Sequence, residues 1–448
     1  MNIKNIKKKI YIKTWGCQMN EHDSSIIKNI LMRKKEYILT NNPENSDIFI
    51  LNTCSIREKA QEKLFHQLGR WKKIKTKKPN IIIAVGGCVA TQEGKRIYQR
   101  AKFINIIFGP QTIHKLPELL KQAYKNKKII IDINTKSLQK FKNSINTKID
   151  KKFTSFVSIM EGCNKYCSFC IVPYTRGKEV HRNNYEIISE IKKLTKIGVK
   201  EIILLGQNVN AYNVYDNVYQ KKYNFSDLLY EISEIPKIHR IRYITSHPME
   251  FNDNLIEAYK NIPQLTNFLH LPLQSGSNRI LKLMKRGYTI EQYEEIIRKL
   301  KNIRPKINIS SDFIIGFPGE TKEDFQKTLN IISKINFDTS YSFIYSKRPG
   351  TRAAKLIDNT PIEEKKKRLA ILQKKIIQQS FQWRRRMLGT VQSIIVEGVA
   401  GNNIQELRGR TENNRIVHFE GHPKLIGKFI QLKIIDINYK TYLKGTII

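Results

Sequence analysis

Compact apolar runs rich in isoleucine, each followed by a stretch of helical periodicity, set the rhythm of the first third of the chain. Residues 9–15 (KIYIKTW), 47–52 (DIFILN) and 80–85 (NIIIAV) are continuous apolar segments, as strands buried on both faces of a parallel sheet should be. Helical patterns follow over 23–36, 55–73 and 91–100, which predicts an α/β domain with a doubly wound parallel sheet. The alternation resumes at residue 153 with six candidate strands, 153–160, 201–205, 240–245, 267–271, 308–315 and 339–345. Helical patterns such as 185–197, 226–235 and 321–335 lie between them, and repeated right-handed βα crossovers predict a partial (βα)6, TIM-like barrel. A charged helix over 361–386 is followed by short strands at 389–399, 406–409, 415–420, 428–437 and 441–448. Five such strands predict a small β-barrel of OB-like type, a common RNA-binding scaffold. The polar, aperiodic stretch 134–152 reads as a connection. The expected domains are therefore 9–126, a linker over 127–148, a core over 149–381 and a C-terminal barrel over 384–448.

Composition adds constraints. A length of 448 residues, 40% of them hydrophobic, suits two to three domains with real cores. No apolar run approaches the length of a membrane span. The basic first residues pass directly into a strand pattern with no apolar leader core, so the expected setting is cytoplasmic, with no membrane partner and a monomeric chain. The net charge of +41 suits an anionic partner such as RNA. Lysine and asparagine also crowd loop positions such as 125–128 and 143–152, a compositional inflation that raises charge everywhere. Charge is consistent with an RNA partner without establishing one.

Six cysteines are too few for a disulfide scaffold and, in a reducing compartment, point to metal binding or chemistry. Cys163, Cys167 and Cys170 form a Cys-x3-Cys-x2-Cys run. Paired zinc knuckles or histidine partners are missing nearby. Iron–sulfur clusters normally take four cysteines, so a set of three leaves one iron for another ligand. Cys17, Cys54 and Cys88 each follow one of the three N-terminal strands. In a doubly wound sheet those loops share one edge, so the three are predicted to meet and to form a second such set.

The barrel loops carry further candidates, because active sites are built at the carboxyl ends of barrel strands. In order they hold residues 161–170, 206–212 (GQNVNAY), 246–248, 272–277 (PLQSGS), 316–320 (GFPGE) and 346–350 (SKRPG). The 316–320 turn is able to bring backbone N–H groups toward a ligand. His247 reads equally as a base, a ligand or a hydrogen-bonded loop histidine. Arg348 and Arg352 are placed to face an anionic substrate, and Arg384, Arg385 and Arg386 are either a solvated helix end or phosphate contacts.

Taken together, TWGCQMNEHDS, LNTCSIREKA, GGCVA, SIMEGCNKYCSFCIVPYTRG, LLGQNVNAY, HLPLQSGS, DFIIGFPGE and YSKRPGTRAA resemble the methylthiotransferases of the radical SAM enzymes. The resemblance spans an N-terminal methylthiotransferase domain, a radical SAM core and a C-terminal TRAM barrel. It implies that Cys163, Cys167 and Cys170 hold a 4Fe-4S cluster whose free iron chelates S-adenosylmethionine, the source of a 5′-deoxyadenosyl radical. It implies that Cys17, Cys54 and Cys88 hold a second 4Fe-4S cluster carrying the sulfur to be inserted. Gln207, Gly316 and Pro318 are candidates for the S-adenosylmethionine pocket. The implied substrate is an isopentenylated adenosine next to the anticodon of tRNA, methylthiolated at C2 at the expense of two S-adenosylmethionine molecules. An electron donor and a source of sulfur are implied as further partners. The run Thr53-Cys54-Ser55-Ile56-Arg57 resembles the isopentenyladenosine enzymes rather than relatives acting on a ribosomal-protein aspartate or on threonylcarbamoyl-adenosine. Attack on an unactivated C–H needs no acid–base pair, and none is singled out. A non-catalytic RNA-binding iron–sulfur protein is the alternative of a different class, and it has no use for an open cluster iron.

Overall fold

A computed structural model describes residues 7–54, 59–126, 128–135, 153–216, 220–401, 403–438 and 442–448. The N-terminal sheet has six strands, β1 (Lys8–Thr14), β2 (Tyr37–Leu39), β3 (Ile48–Thr53), β4 (Ile82–Gly87), β5 (Ile106–Phe108) and β6 (Ile130–Asp132). They run in the order β2-β1-β3-β4-β5-β6, and every neighbouring pair is parallel. Alternate residues of the apolar runs supply opposite faces, as the two-residue period of a strand requires. Ile10, Ile48 and Ile50 pack with Ile27, Leu116 and Leu120 on one side, and Phe49 and Leu51 pack with Leu64 and Trp71 on the other. The β1–β3 neighbourhood is the point where strand order reverses, and ligands collect outside the carboxyl ends of strands there.

One domain expectation needs correcting. The linker was expected to begin at 127, yet Ile130–Asp132 pairs with Ile106–Phe108 as the edge strand of the sheet. Three apolar residues beside a sheet edge gain a ladder of backbone hydrogen bonds that a periodicity argument over so short a run does not register. The remainder of the expected connection, from residue 136, lies outside the described residues.

The second unit begins with β7 (Thr154–Ser158). A minimal hairpin, β8 (Met160–Glu161) with β9 (Val180–His181), brackets the cysteine loop. Then come β10 (Glu201–Leu205), a hairpin of β11 (Asn213–Asp216) and β12 (Lys221–Asn224), and β13 (Arg240–Tyr243). They are followed by β14 (Phe268–His270), β15 (Asn308–Ser310), β16 (Asp312–Ile315) and β17 (Tyr341–Ile344). Parallel pairing links β7 to β10 and β13, β14 to β15, and β16 to β17. Parallel bridges at Ile241–Leu265 and Gln274–Phe313 join these pieces into one curved array. The expected strand 308–315 is split at Ser311, whose hydroxyl accepts from the Leu273 N–H. Among the described residues no pairing joins β7 to β17, so the six-fold array stays open.

The helix Ile362–Arg385 leads to the third unit, in which β18 (Val391–Val399), β19 (Glu406–Thr411), β20 (Ile416–Glu420), β21 (Phe429–Ile437) and β22 (Leu443–Ile447) close a barrel in the order β18-β19-β20-β22-β21. This barrel docks on the amino ends of the central strands. Arg240, at the start of β13, donates to the carbonyls of Arg410 (3.1 Å) and Ser393 (3.2 Å). Arg242 donates to Thr411 O (2.7 Å), Lys200 to Gly427 O (3.0 Å), and Arg415 pairs with Asp338 just before β17. The carboxylate of Glu201 pairs with both Arg240 and Arg242, all three being buried. Removing one partner of such a group strands buried charge, at a cost of about 3–5 kcal/mol. Glu201→Leu is therefore expected to loosen the C-terminal barrel. Limited proteolysis near residue 389 should release it from the variant well before the parent; equal cleavage rates would refute the role given to Glu201.

Candidate functional site

Three loops at the carboxyl edge of the N-terminal sheet bring Cys17, Cys54 and Cys88 together. Cys17 is the N-cap of the helix Gln18–Met32, and Cys88 opens the short helix Cys88–Glu93. Gly16 lies so close to Cys54 that a Cβ on it would sit 2.2 Å from the Cys54 Cβ, and its φ of +129° suits glycine alone. The loops are stitched by amides and a hydroxyl. Asn20 Nδ2 donates to Thr53 O (3.0 Å), Asn52 Nδ2 returns a bond to Asn20 O (2.9 Å), and Thr53 Oγ1 donates to Gly86 O (2.9 Å). A hydrogen bond from Cys54, joined by the field of Arg176 and opposed by burial, brings the Cys17 thiol down to about 6. Burial raises that of Cys88.

Cys163, Cys167 and Cys170 occupy the loop after β8. Gly162 starts it with φ +82°, and a Cβ there would stand 2.0 Å from the Lys178 carbonyl oxygen. The Gly162 N–H donates to Gln207 Oε1 (2.5 Å), so Gln207 fixes the first turn of the cysteine loop. Reciprocal bonds of 3.1 Å between Asn164 and Glu179 hold the next turn. Ser168 anchors the far side through Leu283 O (2.8 Å), Met284 O (2.9 Å) and the Ala353 N–H (2.8 Å). Arg286 Nη1 donates to Cys167 Sγ at 3.4 Å while its Nη2 holds Pro272 O at 2.8 Å. Burial pushes the thiol of Cys163 up to about 11 and that of Cys170 to about 12. Metal ligation requires thiolates, so any metal held by this set would displace protons.

The first set lies beside the contact between the two domains. Met19 packs against Ile203 and Leu205 of β10, with Cys17 and Phe156 at the edge of the same cluster. Arg176, six residues past Cys170, crosses that contact, and Gln111 Nε2 donates to its carbonyl (2.9 Å). As the side chains lie, no three His, Cys, Asp or Glu groups among the described residues stand together as a ready-made metal site. What suits an iron–sulfur cluster is the donor chemistry: two sets of three thiols, each on tightly stitched loops and each with a buried arginine donating to one sulfur.

The other expectations fare differently. The Gly316 N–H, expected to face a ligand, donates to Glu320 Oε1 within its own turn (3.1 Å), with Pro318 buried beside it. His247 caps a one-turn 3-10 helix by accepting from the Met249 N–H (3.2 Å). Burial, with Arg286 and Lys165 nearby, holds its pKa far below the usual imidazole value, so the ring is neutral. Arg348 is half-buried and Arg352 exposed on the last rim loop. Of the three terminal arginines of the long helix only Arg385 and Arg386 are exposed; Arg384 is buried and donates to Asn438 O (3.4 Å), which corrects its reading as a phosphate contact. Ser55, Ile56 and Arg57 lie outside the described residues. The buried residues Arg176, Arg286, Asp23 and Glu161 were not singled out from the sequence. Asp23, Glu161 and Arg176 at least stand within motifs that carry a cysteine, whereas Arg286 stands in none of them.

Three known families match segments of the chain: uncharacterized protein family UPF0004 over residues 9–109, the radical SAM superfamily over 157–332 and the TRAM domain over 385–448. A tRNA-2-methylthio-N(6)-dimethylallyladenosine synthase of Buchnera aphidicola subsp. Cinara cedri is 73% identical, over 96% of this chain and 99% of that protein. One so named from Shigella boydii is 55% identical over 98% and 92%. Among solved structures, the radical S-adenosylmethionine methyltransferase TsrM of Kitasatospora setae superposes with a TM-score of 0.56 at 12% identity, over 78% of this chain and 77% of that one. At that identity the likeness concerns the fold alone. With relatives this similar over nearly their whole lengths, the chain belongs to the tRNA-2-methylthio-N(6)-dimethylallyladenosine synthase family of radical SAM enzymes.

Proposed function

We propose that this protein methylthiolates C2 of N6-dimethylallyladenosine next to the anticodon of tRNA. Cys163, Cys167 and Cys170 would hold a 4Fe-4S cluster that binds S-adenosylmethionine, and Cys17, Cys54 and Cys88 a second. Once bound, these groups would supply a carbon-centred radical from S-adenosylmethionine and the sulfur to be transferred. The observation that carries this reading is a second three-cysteine set beside the domain contact, where Arg176, six residues past Cys170, donates to Cys88 Sγ. A single set suffices to make a radical; the second makes sense where sulfur is moved as well.

The chain's own residues do the positioning. Gln207 and Ser168 hold the second cysteine loop at both ends, and Asn20 and Asn52 lock the first set. The C-terminal barrel stoppers the amino end of the central array, so the rim and its open side are left for the substrate base. Among the described residues no helix is long and apolar enough to cross a membrane. A one-electron donor and a sulfur source complete the set of partners, and the chain works as a monomer.

The test is anaerobic incubation of the reconstituted protein with S-adenosylmethionine, a reductant and dimethylallylated tRNA. A 2-methylthio nucleoside is the expected product; a mass gain on a ribosomal protein alone would overturn the tRNA assignment. Exposed Arg385 and Arg386 are expected to touch phosphate. Replacing both with glutamine should flatten the salt dependence of tRNA binding by about 1.4–1.8 in log–log slope, the value for two lost phosphate contacts. An unchanged slope would place them outside the interface.

A further inference from the structure

Arg176 is 3% exposed and its guanidinium makes a separate contact with each of its three nitrogens. Nε donates to Cys88 Sγ (3.4 Å), Nη2 pairs with Asp23 (2.7 Å) and Nη1 with Glu161 (2.5 Å). Cys88 and Asp23 belong to the N-terminal domain, Asp23 on the helix that Cys17 caps. Glu161 belongs to β8, two residues before Cys163. One planar cation thus touches the surroundings of both cysteine sets, and the sulfur it donates to belongs to the set of the other domain.

We propose that Arg176 is a positioning residue through which the barrel domain sets the redox poise of the cluster held by Cys17, Cys54 and Cys88. The inference rests on the reading that these three cysteines hold such a cluster. Reduction adds negative charge to a cluster, and a cation and an N–H donor at a ligating sulfur stabilise the reduced form. Burial magnifies the effect, because water does not screen a charge that is almost wholly enclosed. Asp23 and Glu161 orient the fork and limit the net charge delivered to the sulfur. A lysine cannot reproduce this arrangement, since it lacks three divergent N–H groups in one plane. The sulfur-bearing site therefore acquires its final potential only when the two domains are docked.

The test uses the full chain with Cys163→Ala, Cys167→Ala and Cys170→Ala, in which only the first set is able to load. In this background Arg176→Gln and Arg176→Lys are compared by iron and sulfide content and by the midpoint potential from an EPR-monitored redox titration. The expected result is a potential shifted to more negative values in Arg176→Gln, and shifted less far in the same direction in Arg176→Lys. An unmoved potential, even with lowered thermal stability, would overturn the proposal and reduce Arg176 to a fastener between domains. Should Arg176→Gln fail to fold, Arg176→Lys decides by the same criterion, because it keeps the charge that Asp23 and Glu161 require. A background protein that takes up no iron or sulfide overturns the cluster reading and the inference with it, whereas loading with an unmoved potential overturns the inference alone.

Discussion

Cys167→Ala is expected to abolish release of 5′-deoxyadenosine, a loss on the order of 10³-fold or more, equivalent to about 4 kcal/mol. Cys167 is the central thiol of its loop. It is the one that receives the Arg286 N–H, and it is buried between the segment fixed by Glu179 and the segment fixed by Ser168. Replacing it leaves two thiols, which is too few for a cluster that retains one iron open to S-adenosylmethionine. The measurement is chromatographic quantitation of 5′-deoxyadenosine under reducing, anaerobic conditions. Release within tenfold of the parent would remove Cys167 from the radical-generating set. The backbone bonds of the loop do not involve its sulfur, so a folded variant is expected.

Cys54→Ala is expected to separate two activities that the parent couples. Release of 5′-deoxyadenosine should continue, uncoupled from product, while 2-methylthio nucleoside falls below detection. Cys54 follows β3 in the other domain, and its loop is held by Asn20 and Thr53 rather than by anything in the second cysteine loop. Both products should be measured in one reaction. Equal loss of cleavage and of thiolation would contradict the division of labour between the sets.

The legible part of the structure was whatever had length or repetition. Strands β1, β3 and β4 were evident as isoleucine-rich runs, and the three cysteines that follow them were placed at one edge by the doubly wound pattern alone. All five strands of the C-terminal barrel were present in the pattern, as was the long helix before it. Strands β2, β5 and β6 have three residues each, too few for a two-residue period to stand out. The break at Ser311 was hidden because its neighbours on both sides are strand-like.

Arg176 and Arg286 illustrate a different limit. With 80 lysines and arginines in the chain, one basic residue on a loop carries no signal of its own. What marks these two is burial and a sulfur within reach, and both are properties of tertiary contact. The reverse holds for Arg384, which read as one of three equivalent helix-end arginines until the adjoining barrel covered it. The Gly316 turn was correctly read as tight, but its N–H is satisfied by Glu320 from within.

The docking of the C-terminal barrel bears on how such a chain withstands sequence change. Arg240, Arg242 and Lys200 grip main-chain carbonyl oxygens of Arg410, Ser393, Thr411 and Gly427. Every residue type presents a carbonyl, so the gripped surface is free to exchange its side chains without losing a partner. Selection then has to preserve these donors, the path of the barrel backbone and a few side-chain pairs such as that of Arg415 with Asp338. A lineage whose codons slide toward lysine, isoleucine and asparagine is thus able to rewrite much of the barrel exterior while the two units stay joined.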